Sequence, residues 1–160
     1  MAYGRSAMVE EGLLEMSLTR KVRAPLEVVF RAWTDPKHLA EWWGPTGFTN
    51  PVCEVDARAG GAIRIDMRGP DGVVHSMTGR VVEIDRPHRL VFMAIPLDES
   101  GAPIAEVLNT VTFATIDGGT EISLVARVTH STPEAATSIA GMSQGWSQSL
   151  DRLAAFVSRL

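Results

Sequence analysis

Apolar and polar residues alternate with period two along several stretches of this chain. Over residues 62–68, Ile63, Ile65 and Met67 alternate with Arg64, Asp66 and Arg68. Over 120–129, Ile122, Leu124, Ala126 and Val128 alternate with Glu121, Ser123, Val125, Arg127 and Thr129. Such alternation sends successive side chains to opposite faces, so both stretches read as antiparallel strands with one buried face. Residues 90–95 are apolar on both faces, which predicts a strand covered on both sides. Turn-forming clusters separate the strand-like runs: Ala59-Gly60-Gly61, Gly69-Pro70-Asp71-Gly72, Asp85-Arg86-Pro87, Asp98-Glu99-Ser100-Gly101 and Asp117-Gly118-Gly119. Their Gly, Pro and Asp residues supply the positive or fixed φ that a chain reversal needs.

Two segments follow the helical period instead. Residues 27–39 carry Val28, Val29, Ala32 and Trp33, and Pro36 divides the segment into two short helices, the second ending near Trp43 before Gly44-Pro45. Near the C-terminus, Ile139, Met142, Trp146, Leu150, Leu153 and Val157 form one apolar stripe at spacings of three and four. Thr132 as N-cap, Pro133 in the first turn and Glu134 at the positive end would start that helix. The predicted order is a strand, two short helices, about six antiparallel strands and one long amphipathic helix. This is an α+β, helix-grip arrangement, in which a curved antiparallel sheet wraps around the C-terminal helix. With 160 residues, no repeat and no linker, the chain is expected to form a single domain over 13–160 behind a flexible lead-in over 1–12.

A helix laid across a curved sheet touches it along one stripe, so space can remain between them. Gly141 and Gly145 lie four apart on the helix, and each costs about 1 kcal/mol relative to Ala in a helix interior. Close backbone approach or room for a ligand would offset that cost. Met67, Met77, Phe92 and Met142 fall on inward positions and suit an adaptable ligand wall, although ordinary core packing uses the same residue types. Trp42 and Trp43 cannot share one side of a short helix, so one is expected to pack inward and the other to cover a rim. Trp33 and Trp146 read as aromatic core, with Trp146 also on the ligand-facing stripe.

Polar candidates follow from strand parity. His75 shares parity with Met77 and Val81, and Asn109 with Val107, Val111 and Phe113. Asn109 offers two donors and an acceptor and could orient a carbonyl or hydroxyl. His75 could act as a general base, but its position beside Asp71-Gly72 favours a solvated hairpin end. Glu83 has the parity of Val81 at a strand end.

Charge and composition narrow the partners. The formal net charge is −4 and no basic run exceeds Arg20-Lys21, which argues against a nucleic-acid partner. No apolar run reaches the length of a membrane span, and residues 1–12 lack a secretory apolar core, so a cytoplasmic protein is expected. Cys53 is the single cysteine, flanked by Val52 and Glu54, and reads as a small strand residue. The four histidines are scattered, and no GxSxG, HExxH or phosphate-loop pattern is present, so neither metal nor cofactor is expected. Val91, Met93 and Ile95, on the second face of their strand, suggest a homodimer surface.

Several pieces of the sequence resemble one family. Val22-Arg-Ala-Pro-Leu-Glu-Val-Val-Phe-Arg-Ala-Trp-Thr-Asp-Pro36, followed by Leu39 and Trp42-Trp43-Gly44-Pro45, resembles the opening of the family named after the activator of the heat-shock-protein-90 ATPase, within the START-like (SRPBCC), pollen-allergen-like superfamily. Gly79-Arg-Val-Val-Glu-Ile-Asp-Arg-Pro-His-Arg-Leu-Val-Phe92, Gly118-Gly-Thr-Glu-Ile-Ser-Leu124 and Gly145-Trp-Ser-Gln-Ser-Leu-Asp-Arg-Leu153 agree with it. The resemblance runs from about Leu14 to Val157 and implies a helix-grip fold with a cavity between sheet and C-terminal helix. The matched residues are of structural type, and the superfamily holds carriers as well as cyclases and dehydratases, so function does not follow from fold. Three readings result. The first is binding of a hydrophobic small molecule by Trp42, Trp43, Met67, His75, Met77, Phe92, Asn109, Met142 and Trp146, with no catalytic residue. The second is a cyclase- or dehydratase-like enzyme acting on a ring through His75 or Asn109. The third is a co-chaperone-like interaction domain using an exposed face.

Overall fold

The computed structural model describes residues 7–8 and 14–160, with side chains from Glu15 onward. Among the described residues, eight strands form one open antiparallel sheet: β1 (Ala7–Met8), β2 (Leu14–Val22), β3 (Thr49–Val55), β4 (Ala62–Arg68), β5 (Val74–Asp85), β6 (Arg89–Pro96), β7 (Ala105–Ile116) and β8 (Gly119–Ser131). Their spatial order is β1-β2-β8-β7-β6-β5-β4-β3. Strands β3 to β8 follow one another as hairpins. The single long crossover carries the chain from β2 to β3, at the far side of the sheet, through α1 (Leu26–Thr34) and α2 (Pro36–Trp42). The expected lead-in over 1–12 lies outside the described residues except for Ala7–Met8, which pair with Glu15 and Leu14.

The two short helices form where the sequence predicts them. Asp35 is extended (ψ 119°), which ends α1, and its carboxylate accepts from the Lys37 amide to cap α2, with Pro36 at the first helical position. Val29, Phe30, Ala32 and Trp33 of α1 are buried with Val111, Phe113, Ile122, Leu124 and Ala126 of β7 and β8. The Phe30 and Phe113 rings meet edge to face at 5.2 Å. A Cβ at Gly79 of β5 would run into the carbonyl oxygen of Met93 on β6, so this glycine permits close strand approach.

Three expectations need correction. The C-terminal helix is not continuous. A 3-10 turn (Pro133–Ala135) and α3 (Ala136–Ala140) precede α4 (Met142–Val157), and Gly141 (φ −92°, ψ 3°) interrupts them. Thr132 does not cap by its side chain; its hydroxyl donates to the Ile104 carbonyl at 3.2 Å. Glu83 does not share the inward face of Val81. The register of β5 against β6 shifts between these residues, so Val81 pairs with Phe92 but Glu83 with Val91. The extra residue, Val82, reverses the faces beyond it, and exposed Glu83 instead accepts from half-buried Arg89 at 2.9 Å.

Strand β6 is covered on both faces, as its sequence predicts. Leu90, Phe92 and Ala94 join the core, while Val91 and Met93 on the other face are 5% and 9% exposed within one chain. Cross-strand neighbours flank them, Glu83 and Thr110 beside Val91, Arg80 and Leu108 beside Met93. Among the described residues no helix is long and apolar enough to cross a membrane.

Candidate functional site

Helix α4 packs on β2, α1 and α2. Toward β4–β7 the sheet curves away from it and a cavity of about 430 Å³ opens. The reason lies in side-chain size along α4. Its C-terminal half sends Leu150, Leu153 and Val157 into the solid core. Gly141, just before it, and Gly145 and Ser149 within it border the cavity instead, with Met142 and Trp146. A Cβ at Gly145 would lie 3.9 Å from Pro45, and one at Gly141 3.7 Å from the Thr137 carbonyl oxygen, both ordinary contacts. Neither glycine is required by close backbone approach; both leave open space at the helix.

The sheet wall comes from strand parity. Ile65 and Met67 of β4 pair with Met77 and His75 of β5, and all four line the cavity, joined by Ala94 of β6 and by Ala105, Val107 and Asn109 of β7. The third wall is the segment after α2, with Trp43, Gly44, Pro45 and Phe48. Arg152 of α4 fixes this segment, its guanidinium donating to the carbonyls of Trp43, Gly44 and Pro45 at 3.1, 2.9 and 3.0 Å. Burial pulls the Arg152 pKa below its usual value, opposed by nearby Glu41. Asn50 donates to the carbonyls of Ala40 and Trp43 at 3.0 and 2.8 Å, and the Thr46 amide donates to Gln148 at 3.1 Å. Trp43 and Trp146 then stand edge to face at 5.2 Å and make an aromatic corner of the wall.

Two polar residues of the wall are buried: Asn109, 1% exposed, and Ser149, 5% exposed. The Asn109 amide nitrogen donates to the Val107 carbonyl of its own strand at 3.1 Å, while its Oδ1 has no partner. A buried acceptor without a donor costs about 1–3 kcal/mol. No Lys, Arg, Asp or Glu lines the cavity; its one titratable residue, His75, is exposed at the mouth. Half-buried Cys53 lies on β3 away from this wall, and burial, followed by the charge of Glu54, pushes its thiol up to about 11, which disfavours the thiolate at neutral pH.

The cavity thus brings together Trp43, Met67, His75, Met77, Asn109, Met142 and Trp146. Trp42 and Phe92 stand apart from it. Trp42 is fully buried, its indole N–H donating to the Ala32 carbonyl at 2.9 Å, so Trp42 is the inward member of its pair and Trp43 the rim. Phe92 borders a smaller void of about 20 Å³ with Trp33 and Leu90, behind the cavity wall residues Trp43, Ile65 and Met77. Trp146 is half-buried on the cavity side and stacks on the core residue Trp33 at 5.8 Å. Ile65 and Ser149 were findable, one by its parity with Met67, the other three residues beyond Trp146. Phe48, Leu97 and Ile104 also line the cavity, but they come from turns whose approach depends on long-range packing.

The sequence matches the family model described as activator of Hsp90 ATPase homolog 1-like protein over residues 23–158. The chain belongs to this family. Its Trp43-Gly44-Pro45 and Arg152 segments, far apart in sequence, are the two halves of the hydrogen-bonded cavity wall. Solved structures of similar fold include a Chromobacterium violaceum protein, 32% identical, with a TM-score of 0.71, covering 89% of this chain and 96% of its own. An Arthrobacter aurescens protein is 24% identical, with a TM-score of 0.79, and covers 91% of this chain and 87% of its own. The AHSA1 protein of Silicibacter pomeroyi is 23% identical, with a TM-score of 0.75, and covers 90% of this family member and 97% of its own chain. None of the curated proteins matches the sequence.

Proposed function

We propose that this chain binds a hydrophobic small molecule in the cavity between β4–β7 and α4. The observation that carries this reading is the cavity of about 430 Å³ with aliphatic, Met and Trp walls, within the roughly 300–1,000 Å³ of small-molecule sites. Gly141 and Gly145 keep it open although neither is held by backbone packing. The cyclase or dehydratase reading has less support, since acid–base work on a buried ring needs an ionisable group in reach. The wall offers no carboxylate, and its imidazole lies at the exposed mouth. The interaction-domain reading needs a broad exposed apolar face, whereas the large exposed apolar residues among the described ones are Val73, Val74, Val82 and Leu160. The proposal takes the protein as cytoplasmic, in keeping with a single cysteine that has no partner for an intramolecular disulfide.

Native mass spectrometry of freshly purified protein tests it. A retained apolar molecule, lost on denaturation, is the expected result. Protein that carries nothing and gains no mass with any added neutral hydrophobe contradicts it. The same spectrum gives the subunit count, and a homodimer through Val91 and Met93 draws no support from their burial within one chain.

A further inference from the structure

We infer that the cavity selects a neutral hydrophobe carrying a hydrogen-bond donor, an alcohol or phenol, whose O–H is accepted by Oδ1 of Asn109. This rests on the binding role proposed above and narrows its ligand class. Asn109 lines the wall from β7 at 1% exposure. Its amide orientation is set within its own strand, because the side-chain nitrogen donates to the Val107 carbonyl at 3.1 Å. The flipped amide would bring two acceptor oxygens face to face. One amide hydrogen is used in this way, and the atom left with no partner at all is the acceptor Oδ1. A ketone, ester or ether presents only acceptors and cannot satisfy it. A hydroxyl can, and the gain is large because it also relieves a buried orphan.

The charge of the ligand follows from the same wall. With no Lys, Arg, Asp or Glu among the lining residues, a carboxylate or ammonium would enter without a counter-charge and lose its hydration. Ser149, the other buried polar residue of the wall, can donate or accept and so does not discriminate between ligands. The edge-to-face corner of Trp43 and Trp146 suits a flat ring, which favours a phenol.

The test uses four compounds sharing one ring system: naphthalene, 2-naphthol, 2-methoxynaphthalene and 2-naphthoate, titrated calorimetrically into the folded chain at neutral pH. The expected result is that 2-naphthol binds about tenfold tighter than its methyl ether, the value of one well-made hydrogen bond. The naphthoate is expected to be at least as weak as the ether. In Asn109→Leu the naphthol-to-ether ratio is expected to fall to within about twofold, and in Ser149→Ala to persist. Equal binding of naphthol and ether to the unmodified chain overturns the donor inference while leaving the apolar cavity standing. Naphthoate binding as tightly as naphthol overturns the neutral class. Failure of all three neutral compounds to bind overturns this inference, and removes the binding reading as well only if native mass spectrometry also finds no retained or added hydrophobe. The comparison within the unmodified chain decides the matter even if Asn109→Leu does not fold.

Discussion

Asn109 is a side chain whose stability and function pull apart. Its buried Oδ1 has no partner, so Asn109→Leu removes a desolvation cost and adds apolar area at the wall. The expected outcome is stability unchanged or raised by about 1 kcal/mol in a urea titration, since replacing an unpaired buried polar group by an apolar one of similar shape is neutral or favourable. A loss of about 2 kcal/mol would mean that the bond to Val107, rather than the orphan oxygen, dominates at this site. Cys53 is the second residue with a definite expectation. Burial disfavours its thiolate and lifts the thiol to about 11. Its alkylation by iodoacetamide is therefore expected to be slow at pH 8 and to rise through pH 11 rather than near 9, followed by mass spectrometry over minutes, with circular dichroism checking the fold at each pH.

At the scale of elements, the wall segment after α2 and the break before α4 carry the consequences. Arg152 holds three successive carbonyls of that segment. Arg152→Met keeps an apolar stem but leaves those acceptors unpaired, and is expected to cost about 2 kcal/mol in the denaturant midpoint while blue-shift and quenching at Trp43 change. Gly141→Ala is expected to act in the other direction. The position has φ −92° and room for a Cβ, so alanine restricts the unfolded chain and stabilises by about 0.5–1 kcal/mol, read as a raised thermal midpoint. These elements also mark how far the sequence could be read. Period-two alternation identified the inward faces of β4 and β8 because each has one buried face, and Pro36 divided α1 from α2 because proline cannot donate inside a helix. The bulge at Val82 left no such mark. Neither glycine nor proline signals it, and only pairing with β6 reverses Glu83 outward. Gly141 could be seen as a weak helix position, but the interruption there depends on α3 turning over the cavity.

Across the whole molecule, one end is solid and the other hollow. Phe30, Trp33, Leu150 and Leu153 fill the space over β8 and the second half of β7, while Gly141, Gly145, Ser149, Ala94 and Ala105 leave the space over β4–β6 and the first half of β7 open. The candidate site was legible where a residue's strand parity or helix stripe fixed its direction, as for Met67, Met77, Met142 and Asn109. It was not legible where a turn supplied the wall, as for Phe48, or where two adjacent tryptophans had to be told apart. Only the bond from Trp42 to Ala32 separates that pair. The central claim, that the hollow end takes a hydrophobic molecule, is tested most directly by titrating the neutral fluorophore Nile red into the folded chain and into Gly145→Phe. A phenylalanine there projects from α4 into the cavity at a position where the nearest side chain is Pro45, and is expected to leave the fold intact at an overpacking cost of about 1–3 kcal/mol. Saturable one-to-one enhancement with the unmodified chain, weakened at least tenfold in a Gly145→Phe variant of unchanged circular dichroism, is the predicted result. No enhancement with the unmodified chain, or equal enhancement with both, would contradict it.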